Sequence, residues 1–159
     1  MSVQVKPIPD GYRCVTPYLF VKGAAKAIDF YKSVFGARER VRMDGPGGKI
    51  MHAELDIGDS MIMVADEFPE MRALSPQTIG GSPVMVAIYV NDVDATFARA
   101  IAGGARENRA VENQFYGDRS GSLTDPFGHL WNIATHVEDV SPEEMRRRAE
   151  AFMKGGEKS

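Results

Sequence analysis

Residues 18–36 read YLFVKGAAKAIDFYKSVFG, and residues 87–104 read AIYVNDVDATFARAIAGG. Each runs from a β-forming stretch into an amphipathic helix that stops at glycine. Val21 matches Val90 at an offset of 69 residues, close to half the chain. In the first stretch Ala24, Ala27, Ile28, Tyr31, Val34 and Phe35 fall at helical spacing, and Gly36 closes the helix. In the second, Val93, Phe97, Ala100 and Ile101 form the apolar stripe. Asp92 is placed to cap that helix and Gly103–Gly104 stop it. Such an offset predicts a duplicated module, and a duplicated module builds its site at the seam between its copies.

Outward from these helices the pattern becomes strands. In residues 14–21, CVTPYLFV, the residues Val15, Pro17, Leu19 and Val21 alternate against Thr16, Tyr18 and Phe20. Pro17 donates no ladder hydrogen bond, so it belongs at an edge or a strand beginning. Stretches 37–43, 50–57 and 60–65 read as strands, with a tight hairpin at Gly58-Asp59. Residues 66–82, rich in Pro, Gly and Ser, read as a loop. The second half repeats the order with strands at 84–90, 105–114, 118–124 and 129–136. The predicted fold class is α+β: two β-α-β-β-β modules, about 14–66 and 83–137, forming a half-barrel cavity within a domain of residues 1–137. Residues 138–159 add a C-terminal helix and a disordered tail. Ser141 and Glu144 read as a capping box around Pro142, and Met145, Ala149 and Phe152 as a docking stripe. The tail KGGEKS, residues 154–159, is expected to be disordered.

Composition narrows the function. The 159 residues are 43% hydrophobic, enough for one core. Nineteen basic against 22 acidic residues leave a net charge of −3, which favours neither nucleic acid nor an anionic membrane. Arg146, Arg147 and Arg148 sit among Glu143, Glu144 and Glu150 and read as a solvated helix face. No apolar run approaches the roughly 20 residues that span a bilayer, and no signal core precedes the first strand. A cytoplasmic protein is expected. One cysteine, Cys14, excludes a disulfide framework and reads as a small buried or half-buried apolar residue.

Two segments carry a family likeness. VKGAAKAIDFYKSVFGA (residues 21–37) looks like the first-helix signature of the vicinal oxygen chelate superfamily. YGDRSGSLTDPFGHLW (residues 116–131) looks like the final hairpin of its PhnB-like members. The superfamily includes glyoxalase I, extradiol dioxygenases and the bleomycin and fosfomycin resistance proteins, and the resemblance spans residues 15–137. It implies a homodimer. It also implies a metal held between two concave faces by one residue from the first and one from the last strand of each module. Those positions fall here on Thr16, Met63, Met85 and Asn132, and the internal offset pairs Thr16 with Met85 and Met63 with Asn132. Zinc takes Cys, His or carboxylate, and iron oxygenases want two His and a carboxylate. None of the four meets either demand. The expectation is therefore a metal-independent small-molecule binding protein with no cofactor. The alternative is a metal-dependent lyase, isomerase or dioxygenase with a displaced site, and whether the chain is an enzyme stays open.

The displaced site would lie near His52 and Glu54, two apart on one strand face, with Met51, Ala53, Leu55 and Ile57 turned to the core. Tyr18, Phe20 and Tyr89 share faces with Thr16 and Met85 and offer aromatic surface for a planar ligand. Met63 and Met85 suit an adaptable pocket. Asn132 alternates with a core Trp131 and faces the cavity. The expected ligand contacts are thus Thr16, Tyr18, Phe20, His52, Glu54, Met63, Met85, Tyr89, Tyr116 and Asn132, with no metal ligands. Arg119 is expected to pair with Asp118 or Asp125, His129 to be structural, and His136 to lie near the rim.

Overall fold

A computed structural model of the chain describes residues 5–156. The first module runs β1 (Tyr18–Val21), α1 (Ala24–Phe35), β2 (Arg38–Asp44), β3 (Ile50–Ile57) and β4 (Ser60–Asp66). A short helix α2 (Pro76–Ile79) follows. The second module runs β5 (Met85–Tyr89), α3 (Val93–Ala102), β6 (Arg106–Asn113), β7 (Asp118–Thr124) and β8 (Leu130–His136), and α4 (Pro142–Gly156) ends the described chain. Each module is one four-stranded sheet, in the orders β1-β4-β3-β2 and β5-β8-β7-β6. The 69-residue offset governs register too. β1 lies parallel to β4 with Tyr18 opposite Met63, and β5 lies parallel to β8 with Ala87 opposite Asn132.

One face of each sheet is covered by helix. Leu19, Val21, Ala53, Leu55, Ile62 and Val64 bury against Ala24, Ala27, Ile28 and Tyr31 of α1. Leu123, Trp131 and Ile133 bury with Val93, Phe97 and Ala100 of α3 in the same cluster, so the two modules share one core. The join is polar as well as apolar. Asp125, 4% exposed, accepts hydrogen bonds from Tyr31 Oη (2.7 Å), Trp131 Nε1 (2.9 Å) and the amides of Phe127 and His129. Four donors satisfy a carboxylate that burial would otherwise make costly. His129 donates from Nε2 to the Phe20 carbonyl at 2.9 Å, a structural role as expected.

The helix ends explain where α1 sits. Asp66, at the end of β4, accepts from the amides of Gly23 and Ala24, and its second oxygen from that of Ile50. A buried carboxylate from another strand thus caps the helix and suits its positive end. At the other end Gly36 takes the left-handed conformation (φ 66°), which costs glycine least.

Several expectations change. Residues 66–82 are not simply loop: Ser75 caps α2, and Glu67 accepts from the Ser75 amide and the Thr78 hydroxyl. α4 continues through Lys154 to Gly156, so the first half of the expected disordered tail is helical; residues 157–159 lie outside the described chain. Glu144 N–H donates to Ser141 Oγ, but the Glu144 carboxylate turns to Arg147 and Arg148, so only half of the capping box forms. Cys14 is exposed rather than buried, because β1 begins only after Pro17. The two-module fold itself is as expected: among the described residues the two sheets remain separate and close no barrel. No described helix is long and apolar enough to cross a membrane.

Candidate functional site

The face of each sheet turned away from the helices is open in part: Tyr18, Met85 and Tyr89 are exposed, while Met61, Asp118, Ser120 and Ser122 are buried. On the first sheet, β1 gives Tyr18 and Phe20, whose rings stack 4.8 Å apart. β3 gives His52 and Glu54, and Glu54 stands opposite both Val41 on β2 and Met63 on β4. A hydrogen-bonded chain crosses this face. Tyr18 Oη lies 2.8 Å from His52 Nδ1, and His52 Nε2 lies 3.2 Å from Glu54 Oε1. With the hydroxyl donating to Nδ1, the ring proton sits on Nε2 and faces the carboxylate, an assignment made from the network.

The segment before β1 folds over the same face. Arg40 donates to the Asp10 carbonyl (3.1 Å) and approaches Met61 Sδ (3.8 Å). The buried Tyr12 hydroxyl lies beside Glu54 but outside good hydrogen-bond geometry, so we treat the pair as a charge–dipole contact. Burial, and then Glu54, push the Tyr12 phenol up to about 12. The Tyr12 hydroxyl holds the Glu54 carboxyl below the usual carboxylate range; burial opposes this, and His52 and Arg40 add to it.

On the second sheet β5 gives Met85 and Tyr89, β8 gives Asn132 and His136, and β7 gives Asp118, Ser120 and Ser122. Tyr89 Oη donates to Asp118 Oδ2 (2.7 Å). His136 donates from Nδ1 to Asp118 and from Nε2 to Asp139, both at 2.8 Å. The Asp118 and Asp139 carboxylates raise the His136 pKa above its ordinary value. Arg109 reaches across from β6 to Asn132 Oδ1 (3.2 Å) and Ser120 Oγ (3.4 Å).

The ten expected contacts therefore divide. Tyr18, Phe20, His52, Glu54 and Met63 share the first open face, and Met85, Tyr89 and Asn132 the second. Thr16 precedes β1, and Tyr116 lies in the β6–β7 turn with its ring edge-on to Phe115. No strand ladder joins the two sheets among the described residues. A cleft of about 750 Å³ lies instead at the seam, bordered by Phe35, Met61, Arg99 and Trp131. Of the ten, only Thr16 and Tyr89 border it. The reason is the packing: the modules meet through α1, α3 and the Asp125 turn rather than edge to edge. Arg119 pairs with neither Asp118 nor Asp125 but with Asp94 of α3, through two contacts of 2.8 Å. Strand parity turns Arg119 to the helix side, away from Asp118.

Among the described residues no three His, Cys, Asp or Glu side chains converge. Met63, Met85 and Asn132 offer two thioethers and an amide, and Thr16 lies apart. That set does not fit the His and Glu ligation the fold's metal-using members employ.

The profile of the glyoxalase/bleomycin resistance protein/dioxygenase superfamily matches residues 13–133. The chain belongs to that superfamily. An uncharacterized protein of Mycobacterium bovis is 40% identical over 149 residues, covering 92% of this chain and 94% of its own. Among solved structures, TioX from a Micromonospora species is 27% identical with a TM-score of 0.60, covering 81% of this chain and all of its own. The fosfomycin resistance protein FosX of Listeria monocytogenes, crystallised with Mn(II) and 1S,2S-dihydroxypropylphosphonic acid, shares the fold. It is 20% identical with a TM-score of 0.61, over 84% of this chain and 94% of its own.

Sequence reasoning missed Arg109, Arg40 and Tyr12. Arg109 belongs to the open face only because a bulge in β6 turns it there. Tyr12 comes from a segment with no strand or helix period.

Proposed function

We propose that the chain is a metal-independent small-molecule binding protein of the glyoxalase/bleomycin resistance type. One observation carries this reading: the four positions that hold metal elsewhere in the superfamily carry a hydroxyl, two thioethers and an amide. The open faces keep what a binding site needs. The Tyr18–Phe20 stack and Tyr89 give flat apolar surface, while His52, Glu54 and Asn132 give oriented hydrogen-bonding groups. The ligand is aromatic or apolar. A second copy of the chain completes the site, because Tyr18, Met43, Met85 and Tyr89 are large apolar residues left exposed. We place the dimer in the cytoplasm.

The test is elemental analysis of protein purified without chelator, joined to mass spectrometry of whatever copurifies. Substoichiometric metal with an organic ligand supports the proposal; stoichiometric zinc, iron, nickel or manganese sinks it. The contact between His52 and Glu54 favours one other reading, a metal-dependent lyase, isomerase or dioxygenase with a displaced site. That reading requires turnover of glyoxalase or catechol substrates that depends on added metal and is abolished in His52→Ala.

A further inference from the structure

The two open faces are copies of one surface that now differ in charge. Glu54 lies opposite Met63, and Ser122 lies opposite Asn132, the counterpart of Met63. Ser122 therefore stands where the first copy has Glu54. Two residues back along each strand, Ser120 stands where the first copy has His52. The second face has exchanged an acid and an imidazole for two hydroxyls.

It carries an arginine of its own, Arg109, opposite Ser122. β2 and β6 carry register shifts at matching places, between Glu39 and Val41 and between Glu107 and Arg109. A bulge sets two residues against one and re-aims a side chain. The skipped residue is Arg40 in the first copy and Asn108 in the second, so Arg109 stands where the first copy has Val41, and a guanidinium lies over each face from neighbouring positions. Arg40 is answered by its own chain, through the Asp10 carbonyl and the nearby Glu54 charge. Arg109 is not. Its two contacts, at 3.2 and 3.4 Å, are to neutral oxygens, and both are longer than the roughly 2.7–2.9 Å of a charge-assisted bond. A guanidinium has five N–H donors and no acceptor. Asp118, on the same face, already has its oxygens taken by Tyr89 and His136. Glu112, opposite Ser120, makes no ion pair with Arg109.

We infer that the second open face holds an oxyanion of the ligand, a carboxylate, phosphate or phosphonate group attached to an apolar body. Arg109 supplies the charge. The amide of Asn132 supplies directed hydrogen bonds, the buried hydroxyls of Ser120 and Ser122 stand behind it, and Tyr89 and Met85 offer apolar surface to the rest of the molecule. This deepens the ligand-binding reading and rests on it.

The experiment is an NMR titration of the full-length ¹⁵N-labelled chain with phenylphosphonate and, separately, with benzyl alcohol as a neutral control. Phenylphosphonate is expected to shift the Arg109 Nε–H and Asn132 side-chain amide signals saturably, with benzyl alcohol at least about tenfold weaker. Arg109→Gln, whose folding is checked by its own spectrum, should lower the phenylphosphonate affinity about tenfold and leave benzyl alcohol unchanged. If both probes bind equally and Arg109→Gln changes neither, the anion site is refuted while the ligand-binding reading stands. If neither probe shifts any open-face signal, both fall together.

Discussion

Asp125 ties the two modules together through four hydrogen bonds. Its two oxygens serve Tyr31, Trp131, and the amides of Phe127 and His129. Asp125→Ala strands two buried side-chain donors and two backbone amides at once. Losing the partner of a buried polar group costs its full desolvation, so we expect destabilisation of about 3 kcal/mol or more. Urea denaturation followed at Trp131 fluorescence measures it, and a midpoint within experimental scatter of the parent would refute the assignment. Tyr31→Phe removes one donor and should cost about 1 kcal/mol. His136 makes a prediction of opposite character. Two carboxylates raise its pKa in the folded chain above the ordinary value of 6.5. Its stabilisation is therefore fully present below the unfolded pKa and is lost as pH rises through the folded one. Stability should drift downward across that window in the parent and stay flatter in His136→Gln, and an NMR titration should find the ring half-protonated above pH 6.5.

Among the elements, the 66–82 segment is the most informative. Glu67 gathers the Ser75 amide, the Thr78 hydroxyl and the charge of Lys22. Burial alone would raise its carboxyl, but the Ser75 and Thr78 hydrogen bonds outweigh it and bring it down to about 2. A depressed carboxylate stabilises above its unfolded pKa and loses that contribution as pH falls. The protection of the Ser75 and Thr78 amides, measured against their intrinsic exchange rates, should therefore fall between about pH 4.5 and pH 2. Glu67→Gln should show quick exchange already at neutral pH, with an opening cost lower by about 1–2 kcal/mol; unchanged protection there would remove Glu67 as the organiser.

That segment also marks the limit of what the sequence discloses. Period decided the long elements: the stripes at Ala24–Phe35 and Val93–Ile101, and the alternation in β5 and β8, place every helix and strand of both modules. Asp92 was readable as a cap because it caps its own helix, three residues from Ala95. Asp66 was not readable, since it caps a helix some 40 residues earlier in the chain. α2 is a single turn whose Ser75 cap is overruled in sequence by the surrounding Pro and Gly. Of the candidate site, strand parity placed His52 with Glu54 and Tyr18 with Phe20. Arg109 escaped because parity counts residues evenly, and a bulge breaks the count.

On the scale of the whole molecule, the open faces decide behaviour. Tyr89 is 65% exposed and Met85 48%, unusual for large apolar side chains that lie together on one sheet. Light scattering should report a dimer. The double variant Met85→Lys, Tyr89→Lys should report a monomer with unchanged far-ultraviolet circular dichroism, and a parent that is monomeric at all concentrations would defeat the assembly.

The hydrogen bond from Tyr31 to Asp125 joins residues 94 positions apart, one in each copy of the repeat. Its consequence is historical. An ancestor built of one repeat had to assemble from identical halves, and whatever changed on one half changed on both. Once a turn of the second copy entered the helix of the first, neither half could be discarded, and each was free to mutate alone. Glutamate could become serine on one surface while it stayed on the other. Fragments 1–82 and 83–159, expressed apart, should now fold only when mixed.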